Sequence, residues 1–155
     1  MNITAYVAFG SNLGVRWQNL NRAVGLLRAT PGVEVVRVSS FFDNPAVGGP
    51  DDSPRFLNAA AEISTSLSSN ELLRTLMQIE TEMGRVRVAR NEPRVIDLDV
   101  LMYGDEVIST PQLTIPHPRM HEREFVLKPM EEIAYNVRHP VLQRTMHEML
   151  EALYR

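Results

Sequence analysis

Residues 95–102 read Val95-Ile96-Asp97-Leu98-Asp99-Val100-Leu101-Met102, an apolar and β-branched run that carries two acids and predicts a β-strand. Side chains alternate across a strand, so Asp97 and Asp99 share one face, with Cα atoms roughly 6.5–7 Å apart. The apolar residues that alternate with them point to the opposite face and into the expected core. The segment therefore predicts a strand with one buried face and one acidic face.

The order of elements upstream of this strand indicates the fold class. Apolar runs and apolar periodicity predict strands at residues 3–9, 33–42 and 56–65, a helix at residues 17–28 and a second helix after Ser68. Ser68 and Glu71 have the spacing of a capping box at the start of that second helix. The resulting order is βαββαβ, which is typical of a ferredoxin-like antiparallel sheet with two helices on one face. We therefore predict an α+β fold.

The last third of the chain is expected to complete this fold. A short strand near residues 107–108 and helices at residues 125–133 and 145–154 are predicted there. These added C-terminal helices are expected to cover the second face of the sheet, which would give a three-layer α/β/α arrangement. We expect residues 1–155 to form a single domain.

Composition excludes several classes of protein. The chain has 44% hydrophobic residues without a long apolar run, so we expect neither a signal peptide nor a membrane partner. It has no cysteine, which excludes disulfides, thiolate metal sites and a cysteine nucleophile. Its net charge of −3 disfavours nucleic-acid binding. We expect a cytoplasmic monomer that acts on small molecules.

The acidic strand and the segment before it indicate a chemistry. Two neighbouring carboxylates repel each other unless a cation lies between them, and Mg²⁺ prefers one or two carboxylates completed by water and phosphate oxygens. The ten positions before Val95 carry four arginines, namely Arg85, Arg87, Arg90 and Arg94. Guanidinium groups suit phosphate contacts, and phosphoryl transfer depends on such charge neutralisation. The alternative interpretation is a solvated strand face beside a solvated basic loop.

Three further residues are candidates for ligand contacts. His117 lies between two prolines, which restrict its backbone, and it could donate a hydrogen bond to a phosphate or a ribose. Phe56 and Asn58 begin the third strand, directly after a long loop at residues 44–54. An aromatic ring and an amide suit a flat heterocycle. The alternatives are a structural loop histidine, a core phenylalanine and an asparagine in a turn.

At this point the sequence resembles one family, the hydroxymethyldihydropterin pyrophosphokinases. The similar motifs are Ala8-Phe9-Gly10-Ser11-Asn12-Leu13, Phe56-Leu57-Asn58-Ala59, Gly84-Arg85-Val86-Arg87, Pro93-Arg94-Val95-Ile96-Asp97-Leu98-Asp99, Ile115-Pro116-His117-Pro118-Arg119-Met120 and Arg123-Glu124-Phe125-Val126-Leu127. They follow the order of the family and span nearly the whole chain. The resemblance implies transfer of pyrophosphate from Mg-ATP to the hydroxymethyl group of 6-hydroxymethyl-7,8-dihydropterin, which yields AMP and the pterin diphosphate for folate biosynthesis.

The resemblance also implies roles for individual residues. Asp97 and Asp99 would hold two Mg²⁺ ions, and together with Arg85 and Arg94 they would form the catalytic set. The ATP-binding residues would be Glu80, Arg85, Arg87, Arg94, Ile96 and His117. The pterin-binding residues would be Asn44, Val47, Gly48, Phe56, Asn58 and Phe125, with the pterin between the two rings and Asn58 at its edge.

The chain departs from the family pattern at Asn91-Glu92, where an aromatic residue followed by glycine is frequent. Asn44 and Phe56 replace a frequent threonine and tyrosine, and both suit a pterin pocket. Two other readings stay open at this stage. One is a haloacid-dehalogenase-type phosphatase, in which Asp97 would be the nucleophile, although Leu101 stands where threonine or valine is usual. The other is a ferredoxin-like regulatory module that binds a small ligand.

Overall fold

The computed structural model describes residues 2–46, 54–84 and 94–155. The strands within these residues are β1 (Ile3–Ser11), β2 (Val33–Val38), β3 (Phe42–Asn44), β4 (Phe56–Thr65), β5 (Asp97–Tyr103), β6 (Ile108–Ser109) and β7 (Thr114–Ile115). The helices are α1 (Arg16–Arg28), α2 (Ser69–Glu82), α3 (Glu124–Ala134) and α4 (Met146–Ala152), and a 3₁₀ turn spans Met120–Glu122. None of these described helices has the length and apolar character needed to cross a membrane.

The five strands β1 to β5 form one antiparallel sheet. Its order is β2-β4-β1-β5, and β3 also pairs with β4. Every neighbouring pair is antiparallel. The remaining strands, β6 and β7, form a separate two-stranded ribbon. The prediction of helices combined with an antiparallel sheet is therefore confirmed.

Each face of the sheet carries its own hydrophobic cluster. The first cluster includes Leu20 and Leu27 of α1, Leu72 and Leu76 of α2, and Phe9 and Leu98 of the sheet. The second includes Leu127 and Met130 of α3, Met149 of α4, and Tyr6, Ala60 and Leu101 of the sheet. Because β-strand side chains alternate, the two clusters use alternate residues of the same strands. Helices α3 and α4 leave one end of the second face open, and that end forms the wall of a cleft.

The capping box at the start of α2 is present. The Ser68 hydroxyl accepts a hydrogen bond from the Glu71 backbone N–H at 3.1 Å, and the Glu71 carboxylate accepts one from the Ser68 N–H at 2.8 Å. This arrangement satisfies two backbone donors that the helix itself leaves unpaired. Thr145 and Glu148 form the same arrangement at α4. The predicted helix starts therefore have a local chemical cause.

The predicted long strand at residues 33–42 is two strands in the structure. Ser39 interrupts it: its N–H donates to the Ala60 carbonyl at 2.9 Å, and its hydroxyl accepts from the Ala60 N–H at 2.9 Å. A side-chain oxygen thus takes the place of a backbone carbonyl, and the regular ladder stops until Phe42. Serine is known for such competition with regular backbone pairing. The β-branched composition of the segment gave no sign of this break.

Candidate active site

A cleft of about 770 Å³ lies at the open end of the second face of the sheet. Its lining includes eight residues that the sequence analysis singled out, namely Asn44, Phe56, Asn58, Arg94, Asp97, Asp99, His117 and Phe125. They come from β3, β4, β5, the segment before β5, the segment after β7, and α3. The fold therefore brings the predicted phosphate-binding and heterocycle-binding residues into one cavity.

The two carboxylates stand on β5, next to the smallest residues of β1. Asp97 pairs with Gly10 and Asp99 pairs with Ala8 in the register of the two strands. Both acids are partly exposed and line the cleft, whereas Leu98 between them is 5% exposed and belongs to the first hydrophobic cluster. The side-chain alternation predicted from the sequence is therefore observed. The small neighbours leave space in front of the acids.

The two carboxylates suit a hard divalent cation. Mg²⁺ takes oxygen donors, and in sites that handle phosphates it often keeps one or two carboxylates and completes its shell with water and substrate. Within residues 2–46, 54–84 and 94–155, no group of three or more His, Cys, Asp or Glu is arranged around a metal position. Among the acids that line the described part of the cleft, Asp97 and Asp99 are the two that share one strand face.

Arg94 is held next to this acidic pair. Its guanidinium lies 3.4 Å from the Asp97 carboxylate. Its backbone is clamped by Asn12: the Arg94 N–H donates to the Asn12 side-chain oxygen at 2.8 Å, and the Asn12 N–H donates to the Arg94 carbonyl at 3.1 Å. The Asn12 amide also donates to the Pro54 carbonyl at 3.2 Å. Asn12 therefore joins three segments of the chain at the cleft.

Sequence reasoning missed this role of Asn12, which it quoted only as part of a motif similar to the family. A signal was present, since the side chain of an asparagine that follows a buried strand can both donate and accept hydrogen bonds with neighbouring backbone groups. Its side chain is 5% exposed, and a buried amide needs such partners. The clamp fixes where the Arg94 side chain leaves the backbone.

His117 is oriented by its own backbone and by the next turn. Its N–H donates to the Leu101 carbonyl at 2.9 Å, and its ring Nδ1 accepts from the Arg119 N–H at 3.3 Å. Burial lowers the pKa of His117, the positive charges of Arg123 and Arg119 lower it further, and Asp97 opposes them. The imidazole is therefore neutral near pH 7. With Nδ1 accepting, its proton is on Nε2, which is then a hydrogen-bond donor.

Phe56 and Asn58 pack directly over Gly10. A Cβ atom placed on Gly10 would lie 3.1 Å from the Asn58 amide nitrogen and 3.4 Å from Cδ1 of Phe56. The Asn58 side chain is held by Asn44, whose amide donates to its oxygen at 3.0 Å. Asn58 is 8% exposed and Phe56 is half-buried, and both line the cleft. The glycine therefore makes room for a ring and an oriented amide on one wall.

The α3 side of the cleft carries a second ring and two further arginines. The Arg123 guanidinium lies 5.5 Å from the centre of the Phe125 ring, within the range of a cation–π contact. Arg119 lines the cleft too, and its guanidinium lies 3.5 Å from Glu122. Sequence reasoning quoted both arginines within motifs but gave them no role. Their closeness to His117 and Phe125 along the chain was the available signal.

Two predicted ATP contacts lie outside the cleft formed by the described residues. Glu80 is 4% exposed on α2, and its carboxylate accepts from the Leu98 N–H at 2.8 Å. Ile96 is completely buried in the first hydrophobic cluster. Glu80 thus holds the backbone of β5 and Ile96 packs in the core, and the contacts of both residues with ATP stay predictions.

Some predicted residues lie outside the described part of the chain. They are Val47 and Gly48 of the predicted pterin pocket, Arg85, Arg87 and Arg90 of the arginine cluster, and the Asn91-Glu92 departure.

Comparison with known proteins shows the family of the chain. Residues 6–135 match the model of the family described as 7,8-dihydro-6-hydroxymethylpterin-pyrophosphokinase. The chain is 50% identical over 137 residues to the 2-amino-4-hydroxy-6-hydroxymethyldihydropteridine pyrophosphokinase of Bacillus subtilis, an alignment that covers 88% of this chain and 81% of the relative. It is 46% identical over 132 residues to the enzyme of the same name from Haemophilus influenzae, covering 85% and 82%.

Solved structures of related fold include wild-type Plasmodium falciparum HPPK-DHPS with pteroate. The superposition has a TM-score of 0.77 at 14% sequence identity and covers 98% of this chain but 42% of the other. At that identity the likeness concerns the fold, and the chain spans less than half of that protein. The sequence relatives and the matched family model, in contrast, show the family. The chain belongs to the 7,8-dihydro-6-hydroxymethylpterin-pyrophosphokinase family.

Proposed function

We propose that this chain transfers pyrophosphate from ATP to the hydroxymethyl group of 6-hydroxymethyl-7,8-dihydropterin in folate biosynthesis, and that the reaction takes place in the cleft. One end of the cleft would bind the phosphates and the other end the pterin. The observation that supports this most is that Asp97 and Asp99 line the same cavity as the Phe56 ring and the Asn58 amide. Asp97, Asp99, Arg94 and His117 form the phosphate end. Asn44, Phe56, Asn58 and Phe125 form the pterin end.

At the phosphate end, Asp97 and Asp99 would hold Mg²⁺, and we propose two ions. The magnesium that these carboxylates would hold would supply positive charge to neutralise the phosphates. Arg94 contributes a guanidinium beside the carboxylates, and neutral His117 offers its Nε2–H to a phosphate or ribose oxygen. The resemblance supports Arg85 and Arg87 as further phosphate contacts.

At the pterin end, the heterocycle stacks between Phe56 and Phe125, and the Asn58 amide hydrogen-bonds its edge. The support is that both rings are half-buried in the cleft and that Asn44 orients the Asn58 amide. Aromatic stacking together with a fixed amide suits a flat heterocycle with a polar edge, such as a pterin. The resemblance adds Val47 and Gly48, through their backbone groups, to this pocket.

The reaction needs little covalent chemistry from the protein. The hydroxymethyl oxygen attacks the β-phosphorus of ATP, the new P–O bond forms as the bond from the β-phosphorus to the AMP oxygen breaks, and the hydroxyl proton is released. In such transfers the rate depends mainly on positioning the reactants and neutralising the charge of the phosphates. Cationic side chains that line the cleft, Arg94 among them, are suited to the charge that develops on the transferred group.

The direct test is incubation of the protein with Mg-ATP and 6-hydroxymethyl-7,8-dihydropterin. We expect AMP and the pterin diphosphate in equal amounts, measured by chromatography, and no product when the pterin is omitted. Formation of ADP or inorganic phosphate as the sole nucleotide-derived product would contradict the proposal, because attack would then fall on the γ-phosphorus. Release of phosphate without pterin would point to the phosphatase alternative.

A second prediction concerns Gly10→Ala. The added methyl would lie 3.1 Å from the Asn58 amide, so this amide must shift by a few tenths of an ångström, and it would lie in contact with the Phe56 ring at 3.4 Å. We expect KM for the pterin to rise roughly tenfold, since about 1.4 kcal/mol corresponds to a tenfold change in affinity, while KM for ATP changes little. Gly25→Ala is the matched control, because nothing lies within 4 Å of its added Cβ. Equal pterin KM values for the Gly10→Ala variant and the parent would place the heterocycle elsewhere.

We further propose a ferredoxin-like core, supported by the strand order β2-β4-β1-β5 and the two helices α1 and α2 that pack on the same face. Residues 1–155 are proposed to act as one pyrophosphokinase domain, as a cytoplasmic monomer without nucleic-acid partners. Net charge −3 supports the last point.

A further inference from the structure

One surface contact ties the interruption between β2 and β3 to helix α3. The Ser40 N–H donates to the Glu132 carboxylate at 2.7 Å, and the Ser40 hydroxyl donates to the same oxygen at 2.9 Å. Both donors meet one charged acceptor, and charge-assisted bonds of this length are stronger than neutral ones. The Ser40 N–H is available for this contact because Ser39, and not Ser40, forms the hydrogen bonds with the Ala60 backbone.

The two ends of this contact belong to the two walls of the proposed pterin pocket. Glu132 lies seven residues after Phe125 on α3, so both point to the same side of the helix, about 10.5 Å apart along its axis. Ser40 lies two residues before β3, which ends at Asn44. Asn44 is bonded to Asn58, and β3 pairs with β4 up to Phe56. One carboxylate therefore connects the strand wall with the helix that carries the facing ring.

We propose that Glu132, through Ser40, is a positioning residue that sets the separation between Phe125 and the wall formed by Phe56 and Asn58. The proposal rests on the proposed pterin pocket. A flat ring binds well between two aromatic side chains only when their spacing matches its thickness. A small displacement of α3 would therefore weaken the stacking of the heterocycle on Phe125.

The phosphate end does not depend on this contact. Asp97 and Asp99 are placed by the pairing of β5 with β1, and the Arg94 backbone is placed by Asn12. Loss of the contact between Glu132 and Ser40 should therefore weaken pterin binding more than ATP binding. A purely structural contact on the surface would instead lower stability slightly and leave both substrates equally affected.

The test compares Glu132→Ala, Glu132→Gln and Glu131→Ala by steady-state kinetics with 6-hydroxymethyl-7,8-dihydropterin and Mg-ATP. Glu131 is the matched control: it is the neighbouring acid on α3, and its carboxylate contacts His147 on α4 at 2.7 Å. For Glu132→Ala we expect the pterin KM to rise roughly three- to tenfold, the range of an ordinary net hydrogen-bond contribution, because the contact is exposed, with ATP KM changed less than about twofold. Glu132→Gln keeps an acceptor oxygen and should restore most of the pterin affinity.

The outcomes separate this proposal from the one on which it rests. A Phe125→Ala variant assayed in parallel tests the pocket itself. Weakened pterin binding in Phe125→Ala together with an unchanged pterin KM in Glu132→Ala would overturn the positioning role and leave the pocket standing. An unchanged pterin KM in Phe125→Ala would overturn the pocket and with it the role of Glu132. Equal changes in both substrates' KM values, or an equal effect of Glu131→Ala on the pterin, would show a general effect of α3 stability.

Discussion

Replacement of Asp97 or Asp99 by alanine is expected to lower kcat by at least on the order of 1,000-fold, the scale of losing electrostatic stabilisation of a transferring group. The free energy of unfolding should change by less than about 1 kcal/mol, because removal of one acid relieves repulsion within the pair and the contact of Asp97 with Arg94 is partly exposed. The measurement is kcat at saturating Mg-ATP, with denaturant unfolding in parallel.

Asp105→Ala is the control for this pair. Asp105 is an exposed acid in the turn after β5 and does not line the cleft. It should keep the parent activity. Near-normal turnover in either Asp97→Ala or Asp99→Ala would remove that residue from the metal site.

The second large effect is expected for Arg94→Ala. The backbone of Arg94 stays clamped by Asn12 in this variant, so the change removes the guanidinium and leaves the entry of β5 in place. We expect kcat to fall by about 100- to 1,000-fold, the range for loss of one group that stabilises transition-state charge, while KM for the pterin stays near the parent value. Arg94→Lys should recover only part of the rate, because an ammonium lacks the planar fork of guanidinium.

Arg138→Ala serves as the matched control for the loss of positive charge. Arg138 is not among the residues that line the cleft, and its guanidinium contacts the Gln143 carbonyl and the Glu148 carboxylate. Its removal should leave kcat unchanged. Arg94→Ala kinetics that match the parent would take Arg94 out of the catalytic set, and a rise in pterin KM alone would move it to the pterin end.

Much of the fold could be predicted from the sequence because its signals are local. The Ser68 capping box starts α2, and the strand at residues 56–65 has the predicted bounds. The break at Ser39 could not be predicted, since it depends on a hydrogen bond to Ala60, a distant residue. The ribbon strand at residues 114–115 was missed too, because a two-residue strand carries no periodicity.

The candidate site shows the same limit. Strand alternation was enough to place Asp97 and Asp99 on one face. The same rule predicts that Ile96 points into the core, where it is buried, although the resemblance implies a contact of this residue with ATP. The packing of α2 against β5 brings the Glu80 carboxylate to the Leu98 backbone N–H. Sequence spacing does not reveal this contact. The clamp by Asn12 depends on three segments that meet only in the folded chain.

A structure of the protein crystallised with Mg²⁺ and α,β-methylene-ATP would be the most direct test of the acidic pair, since this analogue cannot be cleaved at the bond that breaks in the reaction. We predict that magnesium is coordinated by oxygen atoms of both Asp97 and Asp99 and by phosphate oxygens of the analogue, beneath the Arg94 guanidinium. Nucleotide bound elsewhere, or bound in the cleft with metal that neither aspartate touches, would contradict the account.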